Sequence, residues 1–173
     1  QLGDGTHTNQ YSPVAVSGLN SGVLAITVGW YHTCALTTAG AVLCWGRDEY
    51  GQLGDGTTTD RLTPVAVSGL SSGVVSITAE SSHTCAVTTA GAVQCWGRND
   101  AGQLGDGTNT TRYTPVAVSG LSSGVQAIDA GESHTCALTT AGAVRCWGYN
   151  YYGQLGDGTT TNRWTPIAVS DLS

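Results

Sequence analysis

Cysteine is the residue with the clearest chemistry in this sequence, because all six cysteines recur in pairs with one spacing. The pairs are Cys34 with Cys44, Cys85 with Cys95, and Cys136 with Cys146. Each pair flanks two short predicted strands joined by Thr-Ala-Gly, which is the pattern of a β-hairpin. A three-residue turn would place the two cysteines opposite each other at a non-hydrogen-bonded site, where Cα atoms approach to about 4.5 Å. That separation lies within disulfide reach. The spacing therefore predicts three cross-strand disulfides.

Other uses of these cysteines stay open at this point. A two-residue turn would set Cys34 against Trp45 and break the match, which would leave the pairs as buried free thiols. Alternatively, His32 could join Cys34 and Cys44 around zinc, since strand alternation puts His32 and Cys34 on one face. Structural zinc sites use four ligands, and this hairpin supplies three. We therefore expect disulfides and no metal.

No residue set predicts catalysis. Histidines that recur in register are typical of a hydrogen-bonded structural role, and these are His32, His83 and His134. The aspartates of Gly-Asp-Gly-Thr are expected to bond their own turn backbone, and these are Asp4, Asp55, Asp106 and Asp157. Calcium held by Asp55 and Asp60, or by Asp157 and Asn162, is the alternative, although the spacing matches no EF-hand. No nucleophile motif or phosphate loop is present, so we predict neither an enzyme nor a cofactor.

The elements that carry these residues form one structural unit that is repeated three times. Gln1, Gln52, Gln103 and Gln154 are each 51 residues apart. This period and its short β-branched segments are typical of propeller blades. In the middle repeat we predict strands a, b, c and d over residues 74–79, 83–88, 92–96 and 115–118. The predicted fold class is all-β: β-propeller blades with four antiparallel strands per 51-residue repeat, three full repeats plus one extra strand d. Residues 1–20 form a partial repeat, and 21–71, 72–122 and 123–173 form blades 1, 2 and 3.

Three motifs identify the kind of repeat. They are Gly-x-x-His-Thr-Cys-Ala-Leu-Thr, Gly-x-Val-x-Cys-Trp-Gly and Gly-Gln-Leu-Gly-Asp-Gly-Thr. They resemble repeats of the regulator-of-chromosome-condensation family in its cysteine-bearing bacterial form, and the likeness covers the whole chain. The resemblance implies a propeller, typically of seven blades, of the kind that serves in exchange factors, enzyme inhibitors and adhesion or scaffold modules. Likeness of fold does not transfer a function.

Charge and hydropathy narrow the class of partner. The net charge is −6, with six Lys and Arg residues in all. An acidic chain without a basic stripe predicts no nucleic-acid binding. No run of about 20 apolar residues is present, which predicts no membrane insertion. The chain begins at Gln1, so we expect any targeting segment to lie upstream or to have been removed. Disulfides indicate an extracellular or cell-surface protein.

The repeats differ from one another mainly in the a–b and c–d connections, which emerge on the same face of an up-and-down blade. Rigid aromatic residues on loops held by a stiff scaffold are the usual material of a recognition surface. The predicted binding face consists of Trp30, Tyr31, Tyr50, Tyr149, Tyr151 and Tyr152. We expect its ligand to be a protein or a glycan. The residues at the start of strand d are expected to pack between blades instead, and these are Tyr11, Leu62, Tyr113 and Trp164. Arg61, Arg112 and Arg163 recur at one site and could pair with loop aspartates, and we treat them as solvated loop charge.

The number of blades raises a question of assembly. Propellers close with about four to eight blades, and this chain supplies three. The extra strand d, residues 13–16, is expected to complete a blade elsewhere, in a longer repeat array or in a homo-oligomer. The sequence therefore predicts a secreted or cell-surface scaffold that binds a protein or glycan. The alternative is a structural subunit that self-assembles into a closed ring or an extracellular filament.

Overall fold

The chain folds into three four-stranded antiparallel sheets in a computed structural model that describes residues 1–170. We call these sheets blades 1, 2 and 3. Blade 1 contains β1 (Val23–Val28), β2 (His32–Thr37), β3 (Val42–Gly46) and β4 (Arg61–Ala66). Blade 2 contains β5 (Val74–Glu80), β6 (His83–Thr88), β7 (Val93–Gly97) and β8 (Arg112–Ala117). Blade 3 contains β9 (Val125–Ala130), β10 (His134–Thr139), β11 (Val144–Gly148) and β12 (Arg163–Ala168). Consecutive strands are neighbours in every sheet, which confirms the predicted all-β blades.

Strand d differs from its predicted bounds. In blade 2 it begins at Arg112, because Gly97 pairs with Arg112 before a bulge in the ladder. Pro115 is tolerated inside this strand since β8 is an edge strand, where a missing N–H can face away from the sheet. Residues 13–16, predicted as the extra strand d, belong to none of the three sheets. In the three blades strand d pairs with strand c of its own repeat, and residues 1–12 contain no strand.

The b–c hairpins have the three-residue turn that the cysteine spacing requires. The N–H of Thr37 donates to the carbonyl of Ala41 over 2.9 Å, and Gly40 takes a φ of 78° that glycine adopts without steric cost. The resulting register sets the two cysteines of each hairpin opposite each other: Cys34 faces Cys44, Cys85 faces Cys95, and Cys136 faces Cys146.

All three cysteine pairs are disulfide-bonded. In each pair the Cα atoms are 4.1 Å apart, and the bonds join Cys34 to Cys44, Cys85 to Cys95, and Cys136 to Cys146. The described residues contain no free cysteine. The predicted disulfides are confirmed, and the thiol and zinc alternatives are wrong, because every sulfur that could act as a thiol or a ligand is bonded to another sulfur.

Adjacent blades share one hydrophobic core at each junction. Between blades 1 and 2, Leu36 and Val42 pack in one cluster with Val74 and Trp96. The same positions one repeat later form the cluster between blades 2 and 3. One face of each blade therefore packs against the opposite face of the next, so the junction between blades is head-to-tail. No helix in residues 1–170 is long and apolar enough to cross a membrane.

A buried polar chain also crosses each junction. The hydroxyl of Thr84 donates to the carbonyl of Gln52 over 3.0 Å, and Nε2 of His32 lies 2.9 Å from the same hydroxyl oxygen. Because the hydroxyl proton goes to Gln52, the Nε2–H of His32 must be the donor to Thr84. Burial lowers the pKa of His32 to about 4, so this ring is neutral near pH 7. His83 repeats the arrangement with Thr135 over 3.0 Å, as expected for a structural histidine.

Candidate functional site

The a–b and c–d connections lie together on one side of the blades. The N–H of Arg47, in the c–d loop, donates to the carbonyl of Tyr31 in the a–b connection over 2.8 Å. The N–H of Tyr149 donates to Ser133 over 2.8 Å in the same way. We call the surface formed by these two sets of connections the loop face.

Three of the predicted aromatic residues meet in blade 3. The rings of Tyr151 and Tyr152 pack edge-to-face with centroids 5.0 Å apart. Tyr149 stacks on Tyr151 at 6.4 Å and meets Tyr152 edge-on, also at 6.4 Å. Tyr151 and Tyr152 are 65% and 81% exposed. We call these three residues the tyrosine cluster. A cluster whose rings support one another while two of them remain largely in solvent is suited to contact with a partner.

The remaining predicted residues do not join this cluster. The guanidinium of Arg47 lies over the ring of Tyr31 at 5.4 Å from its centroid. Arg98 covers Tyr50 in the same manner at 5.5 Å. Trp30 is 56% exposed. The loop face therefore offers exposed Tyr151 and Tyr152 in blade 3. In blade 1 it offers two arginine-covered tyrosines, Tyr31 and Tyr50.

A cleft of about 500 Å³ lies beside the tyrosine cluster, where blades 2 and 3 meet. Tyr149 and Tyr152 form its aromatic wall, and Asp100, Ala101 and Glu132 lie around it. Its remaining lining residues are Arg98, Ser133, His134 and Gln154. Comparing the repeats by composition alone did not identify this cleft. The signal was present in the sequence as the small Ala101 at the position of Tyr50 and Tyr152.

The aromatic residues at the start of strand d pack against the preceding repeat. Tyr113 lies over Gly51, where a Cβ would meet the Tyr113 ring at 2.4 Å, and Trp164 lies over Gly102 in the same way at 2.3 Å. Both side chains keep part of their surface in solvent, and Tyr11 is fully exposed. Tyr113 and Trp164 thus belong to the junctions between blades, as expected, whereas the expectation is wrong for the fully exposed Tyr11.

The recurring loop arginines pair with the loop aspartates, the alternative that the sequence left open, and keep about a third of their side-chain surface in solvent. Arg61 lies 2.6 Å from the carboxylate of Asp55. The equivalent pairs Arg112–Asp106 and Arg163–Asp157 are 2.8 Å and 2.7 Å apart. The other carboxylate oxygen of Asp55 accepts the backbone N–H of Thr57 over 2.9 Å, which is the predicted turn. With Asp55 engaged in this way, residues 1–170 place no three acidic, histidine or cysteine side chains together as a metal site.

One buried carboxyl escaped the sequence analysis. Asp48 is fully buried at a position where the later repeats carry Asn99 and Asn150. Burial raises the pKa of the Asp48 carboxyl to about 6, and the nearby Asp55 and Asp60 add to the rise. An acid in place of a structural amide makes the blade 1 loop sensitive to pH.

The repeats match a known family along almost their entire length. The regulator of chromosome condensation (RCC1) repeat matches residues 1–36, 39–87, 90–138 and 141–173. The chain belongs to the RCC1 repeat family. A second form of the RCC1 repeat matches residues 23–52, 74–103 and 125–154, which extend from strand a through the first part of each c–d loop.

Curated relatives contain the same repeats within longer proteins. Human "Probable E3 ubiquitin-protein ligase HERC4" is 37% identical over 153 residues, which are 87% of this chain and 14% of HERC4. The "Ultraviolet-B receptor UVR8" of Arabidopsis thaliana is 34% identical over 175 residues, which are 99% of this chain and 40% of UVR8. The RCC1-repeat chain thus spans well under half of either relative.

Solved structures show the same fold. Yeast RCC1 (Prp20), bound to Kap60, superposes with a TM-score of 0.73 at 22% identity, covering 87% of this chain and 37% of the yeast chain. Human WBSCR16 gives a TM-score of 0.62 at 20% identity, covering 98% of this chain and 60% of that protein. This chain is therefore an RCC1-like repeat scaffold with three complete blades and an incomplete fourth.

Proposed function

We propose that this RCC1-repeat chain is a secreted or cell-surface scaffold that binds a protein or a glycan through its loop face. The tyrosine cluster beside the cleft carries the proposal, because exposed aromatic rings next to a concave surface are typical of binding sites. The blades beneath are stiffened by a disulfide in every hairpin. A rigid scaffold lowers the entropy that its loops lose on binding.

The disulfides also support the proposed secreted or cell-surface location. Three intact pairs, without a free cysteine among the described residues, are typical of proteins in oxidising environments. Yeast RCC1 is solved in complex with Kap60, and yeast Prp20p has been described by its binding to Gsp1p and histones. At 22% and 20% identity these structures support protein binding by the fold, and the partner of this chain has to be found by experiment.

Replacing Trp30, Tyr31, Tyr151 and Tyr152 together by serine is expected to weaken ligand capture at least tenfold and to leave particle size unchanged. Contact residues of this kind each contribute about 2 kcal/mol or more when they are central to an interface. The immobilised chain would be screened against a glycan array and a panel of extracellular proteins, with light scattering on the same samples. Val75→Ser, on the exposed side of β5, is the matched control.

Two outcomes of this experiment would contradict the proposal. Unchanged capture by the serine variant would show that the loop face is not the binding surface. Dissociation of a larger particle by the same substitutions would make the loop face an assembly surface instead.

Self-assembly is a second candidate, favoured by the exposed apolar side of blade 1. Ile26 is 62% exposed, whereas the equivalent Ile128 is 9% exposed because blade 2 covers it. At the other end, blade 3 presents an apolar recess of about 190 Å³ lined by residues that include Leu138 and Val144. Their equivalents in blade 1, Leu36 and Val42, pack against the next blade. A second copy could therefore repeat the internal head-to-tail junction.

Under this second candidate, Ile26→Asp is expected to reduce the particle to a single chain, because a carboxylate would enter an apolar junction. Light scattering over a wide concentration range would measure the mass. Leu24→Asp is the control, since position 24 corresponds to Val75, which stays exposed inside the array. A parent chain that remains single at every concentration would exclude self-assembly.

A further inference from the structure

The cleft beside the tyrosine cluster exists because one junction lacks a pair of side chains that fills the corresponding place one repeat earlier. At the junction of blades 1 and 2, Tyr50 of the first repeat lies beneath the guanidinium of Arg98 of the second. At the next junction these positions are Ala101 and Tyr149. Alanine removes the lower ring and tyrosine replaces the arginine. The space opens into the cleft of about 500 Å³.

Arginine stacked on tyrosine is a pairing that this loop face makes twice on its own. Arg47 covers Tyr31, and Arg98 covers Tyr50. In the third repeat the position of Arg47 and Arg98 is Tyr149. Tyr149 and Tyr152 therefore face the cleft without an arginine from their own repeat. An aromatic face attracts a guanidinium through its quadrupole and through stacking.

Charge around the cleft favours the same ligand. Glu132 stands where the second repeat has Ser81 and the first has Trp30. Asp100 also lines the cleft and pairs with Arg98 over 2.6 Å. These two charges offset each other, so the carboxylate of Glu132 leaves the lining with a net negative charge. Burial lowers the pKa of His134, with Asp129 acting in the opposite direction, so His134 adds no positive charge near pH 7. The cleft thus combines bare aromatic rings with one net negative charge.

From these observations we infer that the cleft between blades 2 and 3 binds the guanidinium of an arginine side chain on a protein partner. The inference rests on the proposed function, since it names the chemistry that the loop face recognises. The arginine lies against Tyr149 and Tyr152, and its N–H groups donate to the carboxylate of Glu132. In this arrangement the partner supplies the arginine that the third repeat has lost.

The probe is a short acetylated peptide, Gly-Gly-Arg-Gly-Gly, with a matched peptide in which citrulline replaces arginine. Citrulline keeps the shape of the side chain and removes its charge. Titration calorimetry and chemical-shift mapping on the whole chain are expected to show at least about tenfold tighter binding of the arginine peptide, a factor that corresponds to about 1.4 kcal/mol. Shifts are expected at Tyr149, Tyr152 and Glu132.

Ala101→Tyr is expected to lower the affinity for the arginine peptide at least tenfold, because it restores the ring that fills the preceding junction. Glu132→Gln is expected to lower the affinity severalfold by removing the carboxylate. Asp4→Asn, in the N-terminal segment, removes one negative charge elsewhere and is expected to leave the affinity unchanged. Far-ultraviolet circular dichroism of each variant verifies the fold.

Equal binding of the arginine and citrulline peptides, or binding of neither, would overturn the inference. So would full binding by Ala101→Tyr. Glycan capture on the loop face in the absence of arginine-peptide binding would also overturn it, while the proposed function would stand. If the chain captured neither glycans, proteins nor the arginine peptide, the inference and the proposed function would both be wrong. The two failures can therefore be told apart.

Discussion

Trp96→Ala is expected to lower the free energy of unfolding by about 3–5 kcal/mol, the cost of removing a large aromatic side chain from a packed core. Trp96 is fully buried and belongs to the cluster that joins blade 1 to blade 2, together with Leu36, Val42 and Val74. Its Nε1–H also donates to the carbonyl of Gln52 over 2.9 Å. Urea unfolding of the oxidised protein, followed by tryptophan fluorescence and circular dichroism, measures the change.

The first repeat supplies the matched control. Trp45 makes the equivalent hydrogen bond to the carbonyl of Gln1 over 2.7 Å but belongs to neither of the two interblade clusters. Trp45→Ala is therefore expected to cost less than Trp96→Ala. In a repeat protein, stability is approximately the sum of terms for single repeats and for junctions between neighbours. Equal losses in the two variants would show that the junction adds nothing to the packing of this tryptophan.

Asp48→Asn is expected to raise the free energy of unfolding near pH 7 by about 3 kcal/mol. The pKa of Asp48 rises from 3.8 to about 6, and one unit of pKa corresponds to about 1.4 kcal/mol. In the second repeat, Nδ2 of Asn99 donates to the carbonyls of Thr108 and Thr110 over 3.1 and 3.0 Å, and its Oδ1 accepts from Leu104. Asp48 accepts from Leu53 in the same way, but its ionised carboxylate has no proton to donate. The asparagine would provide the missing donor.

The pH dependence has a defined sign. The pKa of Asp48 is about 6 in the folded protein against an ordinary value of 3.8. A raised pKa means that the folded state holds the proton more tightly, so this carboxyl contributes stability at low pH and loses it as the pH rises through about 6. The advantage of Asp48→Asn is therefore expected to shrink as the pH falls from 7 to 4.

Comparing Asp48→Asn with the parent protein separates the effect of the Asp48 carboxyl from the titration of the buried histidines. Burial lowers the pKa of His32 and His83, so these residues reduce the stability of both the variant and the parent protein in acid. Asn99→Asp is the reciprocal variant, expected to destabilise blade 2 and to add the same pH dependence. If Asp48→Asn raised the free energy of unfolding equally at pH 4 and pH 7, the Asp48 carboxyl would not be the cause of the gain.

The local pattern of the sequence was sufficient for the fold and the disulfides. Strand alternation, the Thr-Ala-Gly turn and the ten-residue spacing of Cys34 and Cys44 act within one hairpin, so their outcome depends on neighbours along the chain. The 51-residue period indicated blades for the same reason, since each repeat must bury one face on the next. Strand d was less well predicted because its start is set by pairing across a bulge, at Gly97 and Arg112.

The tertiary structure alone decided which side chains meet across the junctions. Tyr50 and Arg98 lie in different repeats, and their stacking became apparent only when the blades were packed together. The same packing left the cleft at Ala101. The folded c–d loop buried Asp48, and this burial raises its pKa. Sequence by itself determined what each blade is, because that follows from local periodicity and turn chemistry. What each loop can bind depends on contacts between blades, which arise only from the packing of one repeat on the next.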